Sequence, residues 1–384
     1  MELSIVIPCL NEEETIALCV QKSYTFLQTN RITGEVLVSD NGSTDNSREL
    51  ARRTGARVVE TARKGYGSAL LNGIAEARGV FIIMGDGDDS YDFLNLDAFL
   101  HSLRSGADLV VGNRFAGGIH AGAMPPLHRY IGNPLLSAIG RWFFGSQLRD
   151  FHCGLRGFRK QSISSLKLTQ TGMEFASEMI VKATLVGMNI QEVPTVLHPD
   201  GRSRPSHLRT WSDGWRHLRF LLLYSPRWLF LYPGALFFLF GLLTVSILTF
   251  GNPGFGTLNL GVIHQIIGLA FAIVGYQSVW FAVLTKVFAS RENLLPTDTR
   301  VQSLRRNFPL EKLLLVSMTL VILALTGLIA ATSLNWGDSD SSSDKPLRYA
   351  LPSIGVLILA FQTILSSLML SIISMGSTCG DSDD

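Results

Sequence analysis

Residues 80–90 read VFIIMGDGDDS, a short apolar run followed at once by a turn that holds Asp86, Asp88 and Asp89. The run has the length and composition of a buried β-strand, and glycine with aspartate is typical of the turn that follows one. Other short apolar runs recur along the first half of the chain, separated by stretches with helical periodicity. These runs lie at 3–7, 35–38, 56–59 and 109–111. The alternation predicts an α/β domain with a mainly parallel sheet over residues 1–205.

The second half of the chain has a different composition. Of the 384 residues, 47% are apolar and 17% are charged, and the mean hydropathy of +0.26 is high for a wholly soluble protein. The excess lies in four apolar stretches, each long enough to cross a hydrocarbon core roughly 30 Å thick. We therefore predict an all-α membrane domain over 229–384. Its four transmembrane helices are expected at 229–250, 262–288, 313–334 and 350–374.

Charged loops predict the orientation of these helices. The connection between the second and third spans is basic, whereas the connection between the third and fourth, residues 338–344, is rich in aspartate and serine. The basic residues are Arg291, Arg300, Arg305, Arg306 and Lys312. Basic loops face the cytoplasm, and the N-terminus lacks the features of a secretory signal. We expect an integral membrane protein with its α/β domain and C-terminal tail in the cytoplasm, in a prokaryotic plasma membrane ahead of an endoplasmic reticulum membrane.

Residues 206–228 join the two halves and predict an amphipathic helix at the membrane surface. Tryptophans and leucines recur at helical spacing beside arginines. They are Trp211, Trp215, Leu218, Leu222, Arg209, Arg216 and Arg219. Indole and guanidinium groups both suit the headgroup layer of a bilayer. The alternative is an ordinary docking helix between two domains.

Charge and cysteine content exclude several classes of protein. A formal net charge of +2 disfavours a protein that coats nucleic acid. The four cysteines occur in no metal-ligand spacing, so neither a disulfide framework nor a structural zinc site is indicated. A reducing compartment fits this pattern best.

Polar residues follow other predicted strands as well. Asn11 and Glu12 follow the first strand and Asp40 ends the second, at the edge where open parallel sheets bind ligands. Further on, Lys64 and Gly65 precede a predicted helix, a combination suited to a diphosphate. The glycine spacing there does not match the dinucleotide fingerprint GxGxxG, which argues against a nicotinamide enzyme.

The D-x-D at Asp86 and Asp88 is the strongest single signal. Carboxylates crowded at one strand end repel each other unless a cation neutralises them. Oxygen ligands favour Mg²⁺ or Mn²⁺, often shared with the phosphates of a substrate. The motif therefore predicts a site for a metal ion and a diphosphate.

In this order the motifs resemble the family 2 glycosyltransferases of the GT-A fold, and most closely the polyprenyl-phosphate glycosyltransferases similar to dolichol-phosphate mannose and glucose synthases. The resemblance covers residues 1–205. It is carried by IPCLNEEETI (7–16), SDNGSTD (39–45), RKGYGSALLNGIAEARG (63–79), GDGDD (85–89), VGNRF (111–115) and RDFHCGLRGF (149–158). It implies an inverting, membrane-bound enzyme that moves a hexose from a donor of the UDP-glucose or GDP-mannose type to a polyprenyl or dolichyl phosphate, with a divalent cation as cofactor.

The resemblance also implies roles for residues on the donor side. One group binds the nucleotide, one lies along the donor, and one holds the metal. The positions are Pro8, Asn11, Glu12 and Asp40 for the nucleotide, Lys64 and Gly65 along the donor, and Asp86, Asp88 and Ser90 for the metal. Asp88 is the implied direct ligand, and through the metal it acts on the leaving diphosphate as a catalytic residue.

On the acceptor side, Arg114 matches the arginine near the acceptor phosphate in this family. Asp150 and Arg156 match a segment beside the reacting centre, in which Leu155 stands where phenylalanine is usual. An acceptor phosphate is already ionised near neutral pH, so it needs positioning and charge cancellation more than a strong base. Arg114 and Asp150 are therefore expected as catalytic residues, Asp150 to orient other groups and Arg114 to lie near the phosphate together with Arg156.

A basic loop at 198–204 resembles the R-x-x-G-x-S-K segment of the family and adds Arg202 and Arg204 to the expected acceptor-phosphate residues. His198 replaces the arginine of that pattern, and Arg204 replaces its lysine. The charge around the phosphates therefore differs from the pattern at two positions.

Two other functions are compatible with a sugar-binding domain attached to membrane helices. A processive polysaccharide synthase would carry a Q-x-x-R-W motif, but residues 302–307 read QSLRRN and lack the tryptophan. A non-catalytic scaffold or flippase partner would tolerate loss of the chemical residues, which are present. The sequence leaves open the donor nucleotide and sugar, the prenyl length and whether the protein forms a homo-oligomer.

Overall fold

The chain divides into two units, Met1–Leu221 and Leu222–Asp384. The computed structural model describes residues 1–203, 210–251, 254–255, 258–259, 261–292, 309–333 and 345–375. The first unit contains a large β-sheet with its helices, and the second contains long apolar helices.

Seven strands form the sheet of the first unit. They are β1 Leu3–Cys9, β2 Gly34–Asp40, β3 Arg57–Glu60, β4 Phe81–Met84, β5 Leu109–Asn113, β6 Arg156–Arg159 and β7 Ile190–Pro194. Their order across the sheet is β3-β2-β1-β4-β6-β5-β7. β6 is antiparallel to both of its neighbours, and the other adjacent pairs are parallel. The expected α/β fold with a mainly parallel sheet is confirmed.

Helices lie between the strands of this unit, and one more follows the last strand and runs past the end of the unit at Leu221. They are α1 Ile16–Thr29, α2 Ser47–Arg53, α3 Tyr66–Glu76, α4 Asp97–Arg104, α5 Arg114–Gly117, α6 Asn133–Phe144, α7 Lys160–Ser165, α8 Phe175–Leu185 and α9 Thr210–Leu223. A π-helical turn, His128–Gly132, leads directly into α6. β1 and β4 are buried along their whole lengths, as expected for central strands of a parallel sheet.

The register of the sheet brings the sequence motifs to one edge. Cys9 pairs with Asp40, so the first two strands end side by side. Met84, at the end of β4, pairs with Val6 of β1 and with Arg156 of β6. Because β6 is antiparallel, its first residue, not its last, lies at this edge. The loop that precedes β6 therefore meets the residues that follow the parallel strands.

Within its described residues, the second unit contains four helices long and apolar enough to cross a membrane. These candidate spans are Arg227–Phe250, Val262–Arg291, Leu310–Ser333 and Pro346–Ser374. They belong to α10 Tyr232–Phe250, which a π-helical turn precedes, and to α11 Val262–Arg291, α12 Leu310–Ser333 and α13 Lys345–Met375. The predicted set of four apolar helices is confirmed, and the chain is an integral membrane protein.

Glycines allow two of these helices to approach closely. A side chain at Gly241 would overlap the backbone of Ala272, and a side chain at Gly275 would overlap the backbone of Phe238. Small residues at helix contacts are typical of membrane proteins, where packing stabilises association. Gln265 adds a polar contact, since its amide donates to Thr249 Oγ1 at 2.8 Å and to the carbonyl of Arg348 at 2.8 Å.

Several sequence predictions fall outside the described residues. They concern Arg204 and Arg209, the basic residues Arg300, Arg305 and Arg306, and the acidic loop at 338–344. The helix predicted in 206–228 is present as α9, which begins at Thr210.

Candidate active site

Asp86 lies two residues after β4 and is held by a tyrosine. Its Oδ1 accepts a hydrogen bond of 2.9 Å from the hydroxyl of Tyr66 in α3. Burial and the charge of Asp88 raise the pKa of Asp86 to about 7, although Tyr66, Arg114 and Arg202 act in the opposite direction. A second carboxylate next to a buried one costs free energy unless a positive charge is near both. This edge therefore has more negative charge than its own cations offset.

Asp88 is oriented by hydrogen bonds within its own turn and by Arg202, an arginine far away in sequence. Its Oδ1 accepts from the amide and the hydroxyl of Ser90, at 3.1 and 2.6 Å. Its Oδ2 accepts from Nη2 of Arg202 at 2.9 Å. The same guanidinium contacts Glu12 Oε1 at 3.1 Å and Asp200 Oδ2 at 2.8 Å. Arg202, expected at the acceptor phosphate, thus lies among carboxylates that include Asp88, an expected metal ligand.

The carboxylate oxygens at this edge are suitable ligands for Mg²⁺ or Mn²⁺ bound together with a substrate. Three carboxylates converge on the guanidinium of Arg202, which shows that this position is favourable for positive charge. Over the described ranges, no group of three or more His, Cys, Asp or Glu residues could enclose a metal ion. Magnesium commonly takes one or two carboxylates and completes its shell with water and substrate phosphates. Asp86 and Asp88 suit that arrangement.

Asn11 and Asp40 both make hydrogen bonds to the loop after β2, Asp40 from the end of β2 and Asn11 from the loop after β1. The carboxylate of Asp40, 1% exposed, accepts from the amides of Gly42 at 3.0 Å and Ser43 at 3.2 Å. Oδ1 of Asn11 accepts from the amide of Thr44 at 2.7 Å. Both predicted nucleotide residues thus shape the loop after β2. Pro8 is buried inside β1, one residue before its end.

Gly65 occupies a position that only glycine suits. Its φ is +131°, and a Cβ there would overlap the carbonyl oxygen of Thr171. Its amide donates to Oδ1 of Asn41 at 2.6 Å, which ties the start of α3 to the loop after β2. Lys64 beside it is exposed. Lys64 and Gly65, predicted to lie along the sugar donor, are therefore adjacent to the loop after β2.

Arg114 and Asp150 form a buried two-point ion pair. Nε of Arg114 contacts Oδ2 of Asp150 at 2.7 Å, and Nη2 contacts Oδ1 at 2.8 Å. The amide of Arg114 donates to the same carboxylate at 3.1 Å. Among the described residues, Nη1 of Arg114 makes no hydrogen bond. A guanidinium fixed in this way is suited to recognise a phosphate, and Asp150 acts as its support.

Glu192 supports the same pair and was not found by sequence reasoning. Its Oε1 accepts from the amides of Arg149 at 2.5 Å and Asp150 at 3.0 Å. Its Oε2 accepts from the side-chain amide of Asn113 at 3.1 Å. Glu192 lies on β7, a strand whose IQEVP sequence includes a proline. No motif marked it, because its partners come together only in the folded sheet.

Arg156 has a different place from the one expected. Its side chain is completely buried, and its three guanidinium nitrogens donate to backbone carbonyls. Nε contacts Cys153 O at 2.9 Å, Nη1 contacts Ala176 O at 2.6 Å, and Nη2 contacts Phe151 O at 2.8 Å. All of its donor nitrogens are thus engaged within the protein. Arg156 therefore supports the loop before β6, in place of the acceptor-phosphate role expected from the sequence.

An exposed apolar surface lies on the helical segment between β5 and β6. Tyr130, Ile131, Leu135 and Trp142 are large, and each is more than half exposed. They lie on the π-helical turn and α6, which also contain Arg129 and Arg141. A cleft of about 510 Å³ adjoins them. It is lined by Phe115, Pro134, Arg141, Ser146, Gln147 and Arg149. Sequence reasoning had not singled out this segment.

Two family models match the chain. The model for glycosyl transferase family 2 matches residues 4–166. The model for the glycosyltransferase family 2 C-terminal transmembrane region matches residues 283–374.

The relatives of this chain include two proteins of Haloferax volcanii. The low-salt glycan biosynthesis hexosyltransferase Agl6 is 40% identical over 74% of this chain and 68% of its own length. The dolichyl-phosphate hexose transferase is 32% identical over 50% of this chain and 81% of its own length. A crystal structure of glucosyl-3-phosphoglycerate synthase from Mycobacterium tuberculosis has a TM-score of 0.47 at 24% identity, over 58% of this chain and 79% of that one.

Proposed function

The chain belongs to glycosyltransferase family 2, and we propose that it transfers a hexose from a nucleotide-diphosphate sugar to a polyprenyl or dolichyl phosphate. One arrangement carries the proposal: the Asp86–Asp88 pair follows β4 and Arg114 follows β5, and both strands end at the same edge of the sheet, on either side of the first residue of β6. The first suits a diphosphate with its cation, and the second suits a phosphate monoester. The printed name of one relative, a dolichyl-phosphate hexose transferase, supports the same acceptor.

We assign the donor to the edge formed by the loops after β1, β2 and β4. Asp86 and Asp88 would hold Mg²⁺ or Mn²⁺, with Tyr66 and Ser90 fixing the two carboxylates. The bound cation supplies stabilisation of the charge that builds on the leaving diphosphate. The loop shaped by Asn11 and Asp40 is assigned to the nucleotide, with Pro8, Glu12, Lys64 and Gly65 around it.

We assign the acceptor phosphate to Arg114. Nη1 of Arg114 orients the phosphate, while Asp150 and Glu192 keep the guanidinium in place. A phosphate oxygen then attacks the anomeric carbon, and the bond from that carbon to the diphosphate oxygen breaks in the same step. Inversion at the anomeric carbon follows from attack opposite the leaving group. The acceptor is already ionised, so the step needs alignment and charge stabilisation more than a general base.

The membrane helices match an acceptor whose prenyl tail stays in the bilayer. A protein anchored in the same membrane meets its acceptor at a raised effective concentration. We propose a catalytic domain over 1–205, an interfacial segment over 206–228 and a membrane domain over 229–384. The exposed apolar residues on α6 and the tryptophans of α9 would contact the headgroup layer. The basic connection that includes Arg291 and Lys312 would face the cytoplasm, together with the catalytic domain, in a prokaryotic plasma membrane.

A transfer assay tests the proposal. Purified protein in detergent is mixed with a short polyprenyl phosphate, Mn²⁺ or Mg²⁺, and a panel of radiolabelled nucleotide sugars. Asp88→Asn removes a proposed ligand, whereas the matched change Asp89→Asn affects a carboxylate that pairs with Lys22 at 2.7 Å. We expect lipid-extractable label from one donor, lost in Asp88→Asn and kept in Asp89→Asn. Label from no donor, in a protein that still binds nucleotide, would reject the acceptor assignment.

A further inference from the structure

Two histidines meet beside the arginine–aspartate pair. The rings of His152 and His217 are 4.4 Å apart between centroids, with planes inclined by 59°. Nδ1 of His217 lies 2.9 Å from the hydroxyl oxygen of Ser177. His152 belongs to the loop before β6, Ser177 to α8 and His217 to α9, all within the first unit. The contact thus joins three segments that are distant in sequence.

His152, the partner in the loop before β6, is hydrogen-bonded to the proposed acceptor site. The backbone amide of His152 donates to Oδ1 of Asp150 at 3.3 Å. The same oxygen accepts from Nη2 of Arg114 at 2.8 Å. A continuous series of contacts therefore connects α9 to the guanidinium of Arg114, through His217, His152 and Asp150.

Packing holds the ring of His152 in place. Both of its ring nitrogens are shielded from solvent, and neither has a hydrogen-bond partner in the described structure. Burial, with a smaller contribution from nearby groups that include His217 and Arg114, lowers the pKa of His152 well below its usual value. A side chain without hydrogen bonds keeps its rotamer only through its neighbours. His217 is the aromatic neighbour that the structure places against it.

The helix that provides His217 has an outer side of a different character. Trp211 and Trp215 are 82% and 57% exposed, whereas His217 is 9% exposed. α9 ends at Leu223, and the first candidate span begins at Arg227. α9 therefore connects the catalytic unit to the first span and also contributes a buried side chain beside the site.

We propose that His217 is a positioning residue, which packs on His152 and thereby holds the loop before β6, and with it Arg114, in the geometry that transfer requires. Transfer then depends on α9 being seated on the catalytic unit. The role assigned to Arg114 rests on the proposed function, whereas the coupling between α9 and the loop can be measured without it.

Kinetics of four variants and one control variant test the proposal. His217→Ala and His152→Ala are each expected to lower kcat about tenfold and to leave the donor KM and nucleotide affinity within about twofold. The double variant should be no worse than the poorer single one, because both remove the same contact. His217→Phe keeps a ring against His152 and should restore most of kcat. His101→Ala, on the exposed surface of α4, is the matched histidine control.

The kinetic outcomes that overturn the proposal are specific. They are unchanged kcat in His217→Ala, additive losses in the double variant, or a His217→Phe variant as slow as His217→Ala. A loss of nucleotide affinity in parallel with kcat would indicate general unfolding and would equally reject a positioning role.

Hydrogen exchange of the loop gives a readout that needs no acceptor. In full-length protein, His217→Ala should speed amide exchange in a peptide covering 149–155, and His101→Ala should not. Equal exchange in wild type and His217→Ala would overturn the coupling. If wild-type protein glycosylates no polyprenyl phosphate, the proposed function fails, and the exchange result still decides whether α9 controls the loop.

Discussion

The carboxylates around Asp88 and the ion pair of Arg114 handle charge in opposite ways. At the first, Glu12, Asp88 and Asp200 share one guanidinium, and Asp86 lies next to them with a pKa raised to about 7 by burial and by Asp88. At the second, one arginine meets one aspartate through two matched hydrogen bonds. The carboxylates of the first region need a further cation to balance their charge. In the second region, the charges of Arg114 and Asp150 balance each other. The difference agrees with the proposed roles, a metal site shared with the donor at the first region and an acceptor-phosphate site at the second.

The largest effect is expected at the carboxylates. Asp88→Asn should lower kcat by about 10³-fold, because the charge that stabilises the leaving group would be held poorly. Asp89→Asn should stay within about threefold of wild type, since that residue pairs with Lys22 away from the cluster. Steady-state transfer assays at saturating metal check both. Equal losses in the two variants would mean that the effect is not specific to the proposed ligand.

Arg156 gives a large effect of another kind. Arg156→Met removes three hydrogen bonds to buried carbonyls, and the free energy of unfolding of the catalytic unit should fall by about 3 kcal/mol. Denaturant titration followed by near-ultraviolet circular dichroism measures this. The acceptor KM of the fraction that remains folded should be unchanged. A raised acceptor KM with normal stability would restore Arg156 to the acceptor site.

Arg114→Lys tests the two-point geometry of the ion pair. Lysine keeps the charge but cannot make both hydrogen bonds to Asp150, so kcat/KM for the acceptor should fall about 10²-fold. The affinity for nucleotide, measured by calorimetry with Mn²⁺, should change by less than about twofold. A variant with wild-type acceptor kinetics would show that charge alone is sufficient at this position.

The smallest effect concerns pH at the carboxylates. Because the pKa of Asp86 is raised to about 7, protons compete with a metal below that pH. Mn²⁺ affinity should therefore fall about fivefold between pH 7 and pH 6, and change little between pH 8 and pH 9. Tyr66→Phe removes a hydrogen bond that favours the ionised carboxylate, so its acid limb should move to higher pH. Calorimetric titrations across this range measure both, and a flat profile would contradict the assignment of Asp86.

Sequence patterns predict β1 to β5 and the motifs at their ends because both depend on local composition, whereas β7, which is also parallel, was not predicted. The apolar runs before Asp40 and Asp86 are strands, and their register places the two motifs at one edge. β6 was missed because its sequence, RGFR, has two arginines in four residues. Only the folded chain supplies the carbonyls that make burial of Arg156 favourable.

Side-chain partners are harder to predict than strands. Arg202 and Arg156 both belong to motifs that indicate phosphate binding, yet one meets carboxylates and the other meets carbonyls. Glu192 and Tyr66 gain their roles from residues far away in sequence. The membrane helices were predicted to within a few residues, since length and hydropathy determine them. The fourth begins at Pro346 by this measure, ahead of the predicted 350, because a helix continues beyond its apolar core.

Metal dependence of binding at the two regions tests the central claim most directly. Calorimetry on wild-type protein would measure the affinity for the donor nucleotide diphosphate and for a short polyprenyl phosphate, each with and without Mn²⁺. The account predicts that Mn²⁺ raises nucleotide affinity at least about tenfold and leaves polyprenyl phosphate affinity within about twofold. Equal nucleotide affinity without Mn²⁺, or acceptor binding that requires it, would contradict the division of the site into a metal-dependent and a preorganised half.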